Sequence, residues 1–204
     1  MKTDIDFYFD FISPYGYLAS TQLERIATAY QRRIEWRPFL VGVTVMKIMG
    51  QKPMMQTPLK CDYVRLDKPR MASLLGVPLA SPDMSRSNSV AAARAFYWIR
   101  DRDADAAIAY AKRVLHRAWV EGRDITPAEA IAEEAAFVGI DAAQLRQALA
   151  SQSLKDRLLR EMDATIARGV FGSPFFIVDE QPIFGVDRLW MLEHWLRHGH
   201  WQRE

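Results

Sequence analysis

The chain has 204 residues, half of them hydrophobic, with 27 Lys and Arg against 25 Asp and Glu and a formal charge of +2. That length suits one well-buried domain, or one domain carrying a large insertion, and the interspersed charges exclude the basic footprint of a nucleic-acid binder. A single cysteine, Cys61, excludes an internal disulfide, a dithiol redox centre and a thiolate-rich zinc site.

Met1-Lys2-Thr3-Asp4-Ile5-Asp6 runs directly into a strand pattern with no apolar region ahead of a cleavage site. No apolar run of about 18 residues follows anywhere, so the expectation is a cytoplasmic protein with no membrane span. Residues 5–11 form an aromatic and β-branched run, broken by Asp6 and Asp10, that reads as a buried strand. Pro14 marks a helix start. Over residues 15–30, Leu18, Leu23, Ile26, Ala27 and Tyr30 recur at helical spacing, which predicts one amphipathic helix of about four turns. Residues 34–40 are a second strand, so the opening is a βαβ unit with a right-handed crossover.

From about 45 to 168 the chain turns Ala- and Met-rich and helical, in five or six segments by its turn signals. Thr126 with Glu129 has the spacing of a capping box, with Pro127 at the first helical position; Gly139 followed by Asp141 reads as a stop and a new cap. Strand pattern returns at 174–178 and 182–185 around the turn Asp179-Glu180-Gln181. Asp187 then caps a last helix through Leu189, Leu192 and Leu196. The order β-α-β, helical block, β-β-α is a thioredoxin plan, α/β in class, with an all-helical domain inserted between its halves. The boundaries are 1–42 and 169–204 for the thioredoxin-like part and 43–168 for the insert.

Two constellations carry chemistry. The first strand delivers Ser13 to the start of a proline-led helix, where backbone N–H groups favour an anion. A hydroxyl there can donate to a thiolate, yet it is a weak nucleophile without a base; from position alone, the helix-cap reading comes first. In Phe171-Gly172-Ser173-Pro174 a proline opens a strand, a place suited to a cis peptide whose preceding residue pairs with an extended ligand. Taken alone, such a proline is an edge device. Cys61 reads as a small half-buried side chain, and His116, His194, His198 and His200 fit no metal motif.

Taken together, Phe9-Asp10-Phe11-Ile12-Ser13-Pro14-Tyr15, Gly50-Gln51-Lys52-Pro53 with Pro58-Leu59-Lys60 and Asp62-Tyr63, Phe171-Gly172-Ser173-Pro174, and Phe184-Gly185-Val186-Asp187-Arg188-Leu189 resemble the thioredoxin-like disulfide oxidoreductases with helical insertions. The closer resemblance is to their glutathione-dependent branch, the kappa-class glutathione transferases and the 2-hydroxychromene-2-carboxylate isomerases. A Cys-x-x-Cys pair would fall on Ser13 to Gly16, here Ser-Pro-Tyr-Gly, so thiol exchange by the chain itself is ruled out. The resemblance implies glutathione as cofactor, with Ser13 stabilising its thiolate.

It also implies that Ser173, beside a cis Pro174, pairs with the cysteinyl part. Val186 and Asp187 receive the γ-glutamyl end, and Lys60 pairs with a carboxylate. Gln51 stands where the family often has asparagine, and Val186 where the kappa class tends to have serine; backbone contacts survive both changes. Tyr15, Met54, Met55 and Lys60 would face a small aromatic or conjugated 2-oxo acid substrate. The implied activity is a glutathione-dependent cis-trans isomerisation in a cytoplasmic homodimer, with a glutathione transferase as the alternative enzyme. A non-catalytic module that binds a thiol peptide or partner is the alternative from another class.

Overall fold

A computed structural model describes residues 3–84 and 87–202. Strand β1 (Ile5–Phe9) lies at the centre of a four-stranded sheet, parallel to β2 (Ile34–Pro38) and antiparallel to β3 (Phe175–Val178), which pairs with β4 (Gln181–Phe184); the order is β2-β1-β3-β4. Phe7 faces Trp36 on one side and Phe176 on the other. Phe7, Phe9, Phe11, Trp36 and Phe96 meet edge-on or stacked, and all are buried. Such aromatic contacts add to simple area burial and fix the sheet's register.

Strand β1 ends two residues earlier than its composition predicts. The amide of Asp10 donates to Ser173 Oγ at 2.9 Å, and the Asp10 carboxylate accepts from Ile12 N and Val41 N, so side-chain bonds replace the ladder there. The expected single helix over 15–30 is two: α1 (Pro14–Ser20) and α2 (Leu23–Tyr30). The Ser20 and Thr21 hydroxyls donate to the carbonyls of Tyr17 and Leu18, both at 2.7 Å, and the Gln22 amide tightens onto Ala19. That back-bonding competes with the helix ladder and breaks it.

After β2 come a π-helical turn (Val43–Ile48) and a 3-10 turn (Met54–Gln56). Six α-helices then run α3 (Lys60–Leu75), α4 (Val90–Arg100), α5 (Ala104–Trp119), α6 (Ala128–Ala136), α7 (Ala142–Ala150) and α8 (Gln152–Ala167). Asp141 caps α7 as expected, accepting from Ala143 N and Gln144 N at 2.7 and 3.0 Å. The Thr126 capping box does not form. Asp124 accepts the Thr126 amide, the Thr126 hydroxyl accepts from Asn88 N, and Pro127 occupies the cap position itself.

The helices are stitched to the sheet through polar tips of buried aromatics. Trp119 Nε1 donates to the Phe11 carbonyl at 2.9 Å and the Tyr97 hydroxyl to that of Pro38 at 2.7 Å. One continuous core therefore runs from the sheet into α4, α5 and α8. Asp179 and Glu180 both have positive φ, 47° and 61°, and close the β3–β4 turn. The carboxylate of Asp179 anchors that turn to Arg32, Thr3 and Trp195. A 3-10 turn (Val186–Arg188) precedes α9 (Leu189–His198), so Asp187 is not the cap of the last helix. Its carboxylate instead accepts from Arg188 Nη1 at 2.9 Å, within the turn. Among the described residues no helix is long and apolar enough to cross a membrane.

Candidate active site

Ser13 follows β1 and caps α1. Its Oγ accepts from Gly16 N at 3.1 Å, so the helix-cap reading is correct; the same hydroxyl also donates across to the carbonyl of Ser173 at 3.1 Å. The Ser173–Pro174 bond is cis, as expected for that position. Residues 160 positions apart are thus joined at one hydroxyl. The amide of Ser13 is held by the Asp10 carbonyl at 2.9 Å. The amides of Tyr15 and Ser173 meet no acceptor among the described residues.

Gly16 and Asp10 complete this corner, and sequence reasoning assigned neither a role. A Cβ at Gly16 would stand 2.7 Å from Ser173 Oγ and 3.3 Å from both Ser13 Cβ and the Asp10 carbonyl, so a side chain at this position must displace the Ser173 hydroxyl. Asp10 is 1% exposed. Burial pushes its carboxyl up to about 6, against hydrogen bonds from Ser89, Val41 N and Ile12 N that favour the ionised form. The signal for it was an acid in the aromatic run of residues 5–11, which Asp6 also interrupts.

Tyr15 is set by α3. Its hydroxyl donates to Asp67 at 2.6 Å, and Tyr63 donates to the other carboxylate oxygen at 3.1 Å. Burial, then the bond to Asp67 and the charges of Asp67 and Asp187, raise the Tyr15 phenol well above its ordinary value. Tyr15 is therefore a fixed, protonated phenol with an acceptor lone pair to offer. Helix α1 packs against both α3 and the 186–188 turn.

The remaining predicted residues make no hydrogen bond or ion pair to this corner among the described residues. Lys60 is the first residue of α3, exposed and with no ion pair among the described residues. Gln51 is exposed and held by its amide to the Val45 carbonyl. Met54 and Met55, on the 3-10 turn, are 42% and 40% exposed, an open apolar wall. Val186 is buried, so only its backbone can meet a ligand. No hydrogen bond or ion pair joins Gln51, Met54, Met55 or Lys60 to Ser13. Among the described residues, no group of His, Cys, Asp and Glu is placed to hold a metal ion.

The chain matches the family model for a DSBA-like thioredoxin domain over residues 4–197. It is 33% identical over 192 residues to the 2-hydroxychromene-2-carboxylate isomerase of Pseudomonas putida, with 93% of this chain and 92% of that one covered. To glutathione S-transferase kappa 1 of Homo sapiens it is 27% identical over 204 residues, covering 94% and 90%. A solved structure of a 2-hydroxychromene-2-carboxylate isomerase is similar with a TM-score of 0.84 at 31% identity, over 94% of this chain and 93% of that one.

Proposed function

We propose, for an enzyme that belongs to the DsbA-like thioredoxin family in its branch of 2-hydroxychromene-2-carboxylate isomerases and kappa-class glutathione transferases, that this chain is a glutathione-dependent isomerase of the former type. Its substrate would be a conjugated 2-oxo acid from aromatic catabolism, and it would work as a cytoplasmic homodimer. The observation that carries the reading is the Ser13–Ser173 corner: a hydroxyl at a helix start, facing a cis-proline edge, with no thiol in Ser-Pro-Tyr-Gly.

The corner fits a thiol peptide. The idle Ser173 amide and the Ser173 carbonyl, held only by a rotatable hydroxyl, match the donor and acceptor of an extended backbone. Lys60 would take a carboxylate, and Asp187 the γ-glutamyl ammonium, with backbone contacts at Val186 and Gln51. When bound, glutathione would supply a thiolate for reversible addition to a conjugated carbon, the chemistry that frees a double bond to rotate. The chain's own part is to hold that sulfur ionised. A free thiol of pKa about 8.5 is a few per cent thiolate at pH 7, and each hydroxyl or amide donated to it raises that fraction. Tyr15, kept protonated on Asp67, orients the ligand without giving up its proton. Lys60 and backbone amides would steady a carboxylate and developing enolate charge.

Ser13→Ala should lower turnover by about ten- to a hundredfold, the worth of one hydrogen bond to a charged group. It should also raise the thiol pKa of bound glutathione, read from thiolate absorbance. Unchanged turnover and absorbance would remove Ser13 from the reaction, and no calorimetric binding of glutathione at millimolar concentration would sink the reading as a whole. The exposed Met54 and Met55 favour a second reading, a transferase acting on apolar electrophiles. A stable glutathionyl adduct by mass spectrometry, in place of recovered glutathione, would select it.

A further inference from the structure

We propose that the side-chain hydroxyl of Ser173 is a second donor to the sulfur held beside Ser13, and that Gly16 is what lets it reach there. The inference rests on the reading that the bound thiol is glutathione, yet its geometry belongs to the chain alone. The helix that begins at Ser13 is only two turns long, so its field is a small source of anion stabilisation and local donors must do more. The hydrogen of Ser13 points to the Ser173 carbonyl and its oxygen accepts from Gly16 N, so that hydroxyl must turn before it donates to a sulfur. Ser173 Oγ, by contrast, accepts from Asp10 N at 2.9 Å, and its own hydrogen meets no acceptor among the described residues.

The Asp10 bond fixes where that hydroxyl stands. It lies over the first turn of α1, 2.7 Å from where a Cβ of residue 16 would be, and Ser13 Cβ is 3.3 Å from the same point. Glycine at 16 therefore leaves the two serine side chains as neighbours with one free hydrogen between them. In a chain whose fourth motif residue carried a side chain, that space would be filled and the hydroxyl displaced. Ser173 accordingly serves twice, by its backbone as the pairing edge and by its side chain as a donor to the anion.

The test uses a thiol built into the chain as well as glutathione. In Ser13→Cys with Cys61→Ser, the pKa of the thiol at position 13 follows from the pH dependence of its alkylation by iodoacetamide. Adding Ser173→Ala, or Gly16→Ala, should raise that pKa by about one, roughly a tenfold loss of thiolate at pH 6. Ser173→Thr, which keeps the hydroxyl, should hold the thiolate fraction within about threefold. With Ser13 intact, Ser173→Ala should move the thiolate titration of bound glutathione the same way. A position-13 thiol indifferent to Ser173→Ala in a folded chain overturns the proposal. Should that variant unfold, Gly16→Ala decides by the same criterion. If the native chain does not bind glutathione, the proposed function falls, while the alkylation series still decides the role of Ser173.

Discussion

Replacing Asp10 by Asn should make the stability difference between the two chains depend on pH. Asp10 is buried, and no Lys, Arg or His contributes to its ionisation; burial pushes its carboxyl from 3.8 up to about 6. A folded-state pKa above the unfolded one means that folding favours the protonated form. The associated stability is fully present below about pH 3.8 and is lost as pH rises through about 6, with no further change above. Keeping a carboxyl so displaced costs roughly 3 kcal/mol at neutral pH, a large part of a domain's net stability.

Asn has no proton to exchange, so the gap between wild type and Asp10→Asn should move by roughly 2 to 3 kcal/mol between pH 4 and 7, against the wild type. With an m-value of about 2 kcal/mol/M, that is a relative change of roughly 1 M in the urea midpoint. The absolute offset is less informative, because Asn leaves Ile12 N or Val41 N short of an acceptor, at a cost of about 1 to 3 kcal/mol. All other titrating groups cancel in the comparison. Ser89→Ala removes a hydrogen bond that lowers the Asp10 pKa and should carry the transition to higher pH. A gap that stays constant from pH 4 to 7 would refute the account of Asp10 as a buried carboxyl whose hydrogen bonds do not offset its desolvation.

Asp179 should show the opposite dependence: despite burial, which raises it, hydrogen bonds from Arg32, Thr3 and Trp195 hold its carboxyl well below 3.8, so its contribution is present above that pH and lost as pH falls. Asp179→Asn should flatten the acid side of the stability curve measured by urea unfolding. Trp119→Phe deletes the indole bond to the Phe11 carbonyl and leaves a small void in a fully packed site, so unfolding free energy should drop by about 2 to 4 kcal/mol in denaturant titration. Lys60→Ala, at an exposed position, should leave thermal stability unchanged and weaken glutathione binding severalfold at low salt, with the difference shrinking as ionic strength rises.

Local chemistry made much of this protein readable from its residues. Ser13 before Pro14 starts a helix, Asp141 after Gly139 caps one, and Asp179-Glu180 turns the chain between strands, because each outcome depends on neighbours a few bonds away. The aromatic runs around Phe7 and Phe176 declared themselves as buried strands for the same reason. Local pattern failed where a competing partner won: Ser20 and Thr21 turned their hydroxyls on their own helix, Thr126 was claimed by Asn88, and Asp187 by Arg188.

The amino-acid order by itself determined which groups are available at the site: a hydroxyl with no thiol at residues 13–16, and a small residue before a strand-opening proline. Tertiary structure alone decided where their hydrogens go. Ser13 meets the Ser173 carbonyl, Asp10 loses its water, Val186 turns inward and Tyr15 is tied to Asp67 only once β1, β3 and α3 converge. Hydrogen-bond geometry and desolvation depend on atoms brought together from distant parts of the chain, and no spacing within one segment encodes them.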